Sequence, residues 1–259
     1  MKKVRIRAIG AIVGILVLLV AATGTVGAYG CCAEWVNEYH GYLPNLEHND
    51  ENAEGFYNEL SSDAYWSGDF IYGDDWAWES DWKDPSRGGH DNWYTDDTYF
   101  AFFSGHGSSS GFYFGTTNDD HQLHYDDALW GNTKMDWIAI DACEVLKDKW
   151  FTGVSRWFDA FEGLHSICGF HTTCHDVSDR GSRFAKRMDG TWAEWTIIQS
   201  WIQAAKDTEG SSTYVAALAA DVDGNTNTYD CWNDHIYGHG SSVNPPADPP
   251  FWWYGKYQC

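Results

Sequence analysis

Two short apolar runs, each ending in a reactive residue, constrain the fold of this chain more than any other feature. Residues 99–107 have the sequence YFAFFSGHG, and residues 137–143 have the sequence WIAIDAC. Such runs are typical of strands that are buried on both faces of a parallel sheet. Because ligands bind at the carboxyl ends of parallel strands, we expect His106 and Cys143 to lie together at that edge.

A histidine beside a cysteine is the arrangement that a thiol nucleophile needs. The thiolate is the reactive form, and a neighbouring base removes the proton of the thiol. A histidine side chain suits the roles of general base and acid near neutral pH, so His106 is the candidate for both. Buried histidines and cysteines are common at strand ends, so the prediction depends on the two motifs occurring together.

The two motifs, in this order, resemble those of the caspase-like cysteine peptidases, which include caspases, legumains, metacaspases, gingipains and clostripain. The resemblance rests on Ser104–Gly107 and Asp141–Cys143, and His106 and Cys143 are 143 − 106 = 37 residues apart. It implies a three-layer α/β/α caspase-like sandwich with a mainly parallel sheet of about six strands. The alternation of strands and helices along the chain independently favours an α/β fold.

The resemblance also implies roles for individual residues. Cys143 would attack the peptide bond and form a thioester, while the backbone N–H groups of Gly107 and Cys143 would bind the oxyanion. Asp141 would line the primary substrate pocket, where metacaspases accept Arg or Lys, because a carboxylate pairs with a cation. Two alternatives stay open: Asp141 can cap a helix or bind a turn, and Gly107 can simply turn the chain.

The first 28 residues are typical of a secretory signal peptide, with a basic start, an apolar stretch and small residues before Tyr29. The apolar run 8–26 is 26 − 8 + 1 = 19 residues long, so it can instead remain as a membrane anchor. Residues 29–259 are expected to form one domain that is secreted or held at the cell surface.

The charge of the chain excludes some partners. The formal net charge is −22, and loss of four basic residues with the leader gives −22 − 4 = −26. An acidic protein of this kind is not expected to bind nucleic acid or an anionic membrane surface. A peptide or protein substrate is the expected partner.

Seven cysteines are an odd number for an exported protein. We therefore expect Cys143 to be free and the other six to form three disulfides, in any of fifteen pairings. Zinc is an alternative for a cluster of His and Cys residues, although their spacing differs from that of structural zinc sites. That cluster comprises His165, Cys168, His171, Cys174 and His175.

No cofactor is required for this chemistry, but one segment has the oxygen donors of a calcium loop around a glycine. A solvated turn is the alternative. The candidate ligands are Asp221, Asp223, Asn225, Asn227 and Asp230.

Periodicity and capping signals predict the other elements. The expected strands are 34–39, 69–72, 165–170 and 214–219. The expected helices are near 52–60, much of 144–161, 183–187, and a long one from Thr191 with a Thr191–Glu194 capping box. An irregular extension is expected from about residue 221.

A non-catalytic surface module is the competing function. The chain has 16 Trp and 15 Tyr, and such a module would present aromatic platforms to polysaccharide or protein. Four of these tryptophans, Trp76, Trp78, Trp82 and Trp93, lie in the loop 74–97. Packing beneath the loop is the more usual role for Trp.

Overall fold

Strands make up most of the regular structure in the computed structural model, which describes residues 29–115, 119–148, 153–225 and 228–259. The strands are β1 Tyr29–Trp35, β2 Trp66–Gly73, β3 Phe100–Ser104, β4 Gly107–Ser108, β5 Gly111–Tyr113, β6 Gln122–His124, β7 Trp137–Asp141, β8 Ser166–Phe170, β9 Tyr214–Asp221 and β10 Phe251–Gln258. The helices are α1 Asn49–Ser61, α2 Arg180–Met188 and α3 Ile197–Thr208.

Seven of these strands form one sheet in the order β10-β9-β8-β7-β3-β1-β2. The five strands from β8 to β2 are parallel, and β9 and β10 add to the edge in antiparallel pairings. The predicted mainly parallel α/β fold of the caspase-like sandwich class is confirmed, with seven strands in place of about six. Strands β4, β5 and β6 form a separate small sheet.

The central strands are covered on both faces, as their continuous apolar sequences require. On one face, Phe102 of β3 stacks on Phe56 of α1, with ring centroids 4.7 Å apart. On the other face, the neighbouring Phe103 contacts Phe112 of β5 at 4.4 Å and Trp82 at 5.9 Å. The three α-helices thus cover one face, whereas the small sheet and several 3-10 helices cover the other.

The predicted helix within 144–161 is wrong. The described residues there contain only a 3-10 helix, Val154–Ala160. The carbonyl oxygen of Val145 accepts hydrogen bonds from the side chains of Arg156 and Trp157, each at 2.7 Å. In an α-helix, this carbonyl oxygen would instead accept from a backbone N–H in the next turn.

Two further expectations need correction. Helix α3 begins at Ile197, and its N-cap is Thr196, whose hydroxyl accepts from the Gln199 N–H at 3.3 Å. The predicted capping box at Thr191 is therefore wrong. The C-terminal region is not irregular throughout, because its last residues pair with β9 along the whole of β10.

The expected signal peptide or anchor, residues 1–28, lies outside the described residues. In the part of the chain that is described, no helix has both the length and the apolarity needed to cross a bilayer.

Candidate active site

Strands β3 and β7 are neighbours in the parallel part of the sheet, and Ser104 is paired with Asp141 at their ends. The N–H of Gly105 also donates to the Asp141 carbonyl at 3.2 Å. The residues that follow are therefore held side by side at the carboxyl edge of the sheet. His106 and Cys143 both line one cavity there, with a volume of about 70 Å³.

Two hydrogen bonds hold His106, one through its imidazole and one through its backbone N–H. Its Nε2 lies 2.8 Å from the Pro44 carbonyl oxygen. Because a carbonyl can only accept, Nε2 carries the proton and Nδ1 keeps a free lone pair. The backbone N–H of His106 donates to the Tyr39 hydroxyl at 2.8 Å. The ring is thus in the tautomer that can accept a proton at Nδ1.

The thiol of Cys143 is surrounded by groups that favour its thiolate. The Cys174 N–H donates to Cys143 Sγ at 3.3 Å, and the two sulfur atoms are 3.8 Å apart. The hydrogen bonds from Cys174 outweigh the opposing effect of burial and lower the pKa of Cys143 from 9.0 to about 7. The adjacent carboxylate of Glu144, which opposes the thiolate, is paired with Lys147 at 2.6 Å.

Gly107 lies directly against the backbone of Cys143. A Cβ atom at this position would be 2.6 Å from the Cys143 carbonyl oxygen and 3.0 Å from its nitrogen. Only glycine permits this approach without a shift of the neighbouring backbone. The two residues predicted to supply the oxyanion donors are therefore in contact.

Asp141 lines the same cavity, and its role in substrate binding stays a prediction. Its carboxylate is 5% exposed and forms an ion pair with Arg180, which also pairs with Glu209. The other oxygen of Asp141 accepts from the Asn52 side chain at 2.7 Å. Both oxygens are occupied, so the charge expected to bind a substrate Arg or Lys is already compensated within the protein.

Several residues of this site carried no recognisable sequence signal. Pro44 and Tyr39 lie 62 and 67 residues from His106, and Arg180 lies 39 residues from Asp141, so only the fold brings them to the site. Cys174 was visible as a cysteine but was expected in a disulfide. Its position beside Cys143 follows from the turn after β8, which the sequence does not specify.

The predicted set of three disulfides is wrong for this structure, because all seven cysteines are free thiols. Cys31 and Cys32 lie within β1 in the core, and Cys168 lies within β8. Burial raises the pKa of the thiols of Cys32 and Cys168 above the ordinary value. These cysteines therefore act as small apolar core residues.

The alternative zinc cluster does not assemble either. His165 is buried between Asp234, 2.6 Å from its Nδ1, and Asp136, 3.2 Å from its Nε2. Burial lowers the pKa of His165, but the two carboxylates outweigh this effect and raise it to about 9. An imidazole that is protonated on both nitrogens is not a metal ligand.

The predicted calcium segment follows β9. The carboxylates of Asp221, Asp223 and Asp230 offer oxygens within 4.8 Å of one another. However, Asp221 accepts from the N–H of Gly224 at 2.6 Å and from the Trp253 side chain at 2.7 Å. Both carboxylate oxygens of Asp221 therefore already have hydrogen-bond donors within the protein. Asn227 lies outside the described residues, and calcium binding stays a prediction.

Similarity to known proteins extends over most of the chain. A family model described as "Domain of unknown function (DUF6345)" matches residues 33–257. No curated protein sequence matches the chain. Among solved structures, the chain is similar to a secreted C11 cysteine protease from Bacteroides thetaiotaomicron in complex with an irreversible peptide inhibitor, with 11% identity and a TM-score of 0.46. That match covers 74% of this chain and 66% of the protease, slightly less than two thirds of its length.

Proposed function

The chain belongs to the DUF6345 family, and from the geometry of its site we propose that it is a cysteine endopeptidase with a His106–Cys143 dyad. The observation that carries the proposal is the combination of two preset groups in one cavity. Pro44 fixes the tautomer of His106, and the hydrogen bonds of Cys174 lower the pKa of Cys143 to about 7. A buried structural thiol has no need of either arrangement.

The reaction follows the usual course of thiol acyl transfer. Nδ1 of His106 accepts the proton of Cys143, and the thiolate attacks the carbonyl carbon of the substrate. The N–H groups of Gly107 and Cys143 bind the oxyanion that forms. His106 then gives its proton to the leaving amine, and a thioester remains on Cys143. Water, deprotonated by His106, hydrolyses the thioester and restores the thiol.

The substrate in this proposal is a peptide or protein outside the cell. Export rests on the leader-like sequence of residues 1–28. Cleavage after Arg or Lys loses its sequence-based rationale, because Arg180 and Asn52 occupy the carboxylate of Asp141. We assign Asp141 a structural role at the cavity. The cleavage profile on a mixed peptide library would identify the preferred substrate residue.

The test compares Cys143→Ala and His106→Ala with matched variants outside the site. Cys259→Ala and His90→Ala remove the same residue types at positions that do not line the cavity. We expect the two dyad variants to lose activity on a peptide library by at least about a thousandfold. Both controls should keep it, at equal concentrations of folded protein.

An electrophilic peptide probe gives a second measurement, because a thiolate reacts with it even when the preferred substrate is absent from the library. Labelling should be confined to Cys143, and it should persist in His106→Ala at neutral pH, because the hydrogen bonds of Cys174 keep the thiol partly ionised. Full turnover by Cys143→Ala would contradict the proposed nucleophile. Absence of both turnover and labelling in the folded wild-type protein would favour the non-catalytic binding module.

A further inference from the structure

A second cavity lies beside the edge strand β2 and shares no lining residue with the candidate active site. Its volume is about 240 Å³, whereas a single water needs about 10–15 Å³ on the same measure. Four aromatic side chains and one carboxylate line it. They are Tyr72, Trp76, Trp78, Tyr94 and Asp81, and we call this cavity the aromatic pocket.

The aromatic walls are not part of the core. Trp76 is 73% exposed, and Trp78 and Tyr94 are half-buried. Trp78 is held in place by its indole N–H, which donates to the Asp75 carbonyl at 2.7 Å. Tyr72 and Tyr94 contact each other edge to face, with centroids 6.5 Å apart. An exposed indole beside two further partly exposed aromatic residues offers ring faces that a ligand can cover.

The carboxylate of Asp81 lies inside these walls and is only 4% exposed. Behind it, Glu34 of β1 is fully buried, and one of its oxygens accepts from the Trp82 indole at 2.8 Å. Burial raises the pKa of Glu34 well above its usual range, so Glu34 is the protonated member of the pair. Asp81 is therefore the group of the pair that can carry a negative charge toward the pocket.

We propose that the aromatic pocket binds a methylated ammonium group, with ring faces around the methyl groups and Asp81 opposite the charge. Aromatic faces attract cations, and the attraction is strongest for tryptophan. A buried carboxylate beside them adds charge complementarity that a neutral ligand would not use. Burial raises the pKa of Asp81 to about 7, and a bound cation would hold this carboxyl in its ionised form.

The lining also disfavours other ligands. A guanidinium has five N–H donors, whereas the lining side chains offer four acceptor oxygens, two from the carboxylate and two from the phenols. A methylated quaternary ammonium has no donor to satisfy. A hard metal ion requires several oxygen ligands rather than aromatic rings. A sugar would use the ring faces but would not require the charge of Asp81.

The experiment is calorimetric titration of the Cys143→Ala protein with choline chloride at constant ionic strength. The use of this variant makes the result independent of the proposed peptidase function. The neutral compound 3,3-dimethyl-1-butanol has nearly the same shape as choline but no charge, and a neutral glucose hexasaccharide represents the polysaccharide alternative. We expect saturable binding of choline, at least about tenfold weaker binding of the neutral analogue, and no binding of the hexasaccharide.

Variants identify the site. Trp76→Ala should weaken choline binding by about fivefold to thirtyfold. Because the Trp76 side chain is exposed, the substitution should leave the fold intact. Asp81→Asn should weaken binding by a similar factor. Trp192→Ala is the matched control, because Trp192 is 53% exposed but already lies against the side chains of Lys186 and Arg187.

Three results would overturn the proposal: no saturable binding of choline, equal binding of the neutral analogue, or choline binding that Trp76→Ala leaves unchanged. Binding of the hexasaccharide in place of choline would also overturn it and would identify the aromatic pocket as a carbohydrate site.

Discussion

Replacement of Cys174 by alanine should slow the reaction of Cys143 with electrophiles at neutral pH. Hydrogen bonds from the thiol and the backbone N–H of Cys174 lower the pKa of Cys143 from 9.0 to about 7; the thiol has the larger effect, and the substitution removes it but keeps the N–H. At pH 7, a thiol with a pKa of about 7 is about half ionised, whereas one with a pKa of about 9 is about 1% ionised. A thiolate of higher pKa is intrinsically more nucleophilic, which offsets part of this difference. We therefore expect a fall of about fivefold to fiftyfold.

The assay is the rate of alkylation of Cys143 by iodoacetamide between pH 5 and pH 10, followed on its peptide by mass spectrometry. Burial protects the core thiols, including Cys32 and Cys168, so the background is low. Cys174→Ser keeps a donor at the same position and is the matched control. Cys174→Ala should move the midpoint upward from about pH 7, and Cys174→Ser should move it less. An unchanged midpoint in Cys174→Ala would refute the reasoning.

Four further outcomes follow from the same contacts. Arg180→Met leaves two buried carboxylates without their cation and should cost about 3–5 kcal/mol of unfolding free energy, measured by urea denaturation; an unchanged urea midpoint would contradict the buried ion pair. Gly107→Ala places a Cβ 2.6 Å from the Cys143 carbonyl oxygen, so peptidase activity should fall about a hundredfold, and activity equal to wild type would exclude Gly107 from the oxyanion site. Hydrogen peroxide should oxidise Cys143 and Cys174 to a disulfide: the two thiols give up two electrons and two protons, which reduce the peroxide to two molecules of water. Activity should return with dithiothreitol, and separate oxidation of either thiol would argue against the pair. Burial raises the pKa of Asp91 from 3.8 to about 8, so the folded state holds a proton that the unfolded state releases. Asp91 should therefore contribute a fall in stability of about 1.4 kcal/mol per pH unit between these values, and the slope should be smaller by that amount in Asp91→Asn.

The parts of this structure that the sequence predicted are those governed by local patterns. Continuous apolar runs identified β3 and β7, and the short strand 165–170 corresponds to β8 Ser166–Phe170. A parallel sheet brings the carboxyl ends of neighbouring strands to one edge, so the meeting of His106 and Cys143 also followed from the pattern. In each case, the residues that give the signal are the residues that form the element.

The parts that the sequence did not predict depend on contacts between distant residues. The threonine hydroxyls of Thr191 and Thr196 are equivalent as capping signals, but the former donates to Glu59 of α1 at 3.2 Å. Thr196 is therefore the N-cap, and helix α3 begins at Ile197. Likewise, the composition of the last 39 residues, rich in Gly, Pro, Asn and Asp, gave no sign that β9 would supply an edge for β10.

The ion pair between Asp141 and Arg180 connects the stability of the site with its reactivity. The carboxylate of Asp141 is two residues from Cys143, and its charge raises the pKa of that thiol. Burial raises the pKa of Asp141 itself, and the charge of Arg180 opposes this effect. An ionised Asp141 without Arg180 would therefore disfavour the thiolate, whereas the paired carboxylate leaves Cys174 as the main influence on Cys143. The ion pair with Arg180 thus limits how far an aspartate two positions before the cysteine opposes the thiolate.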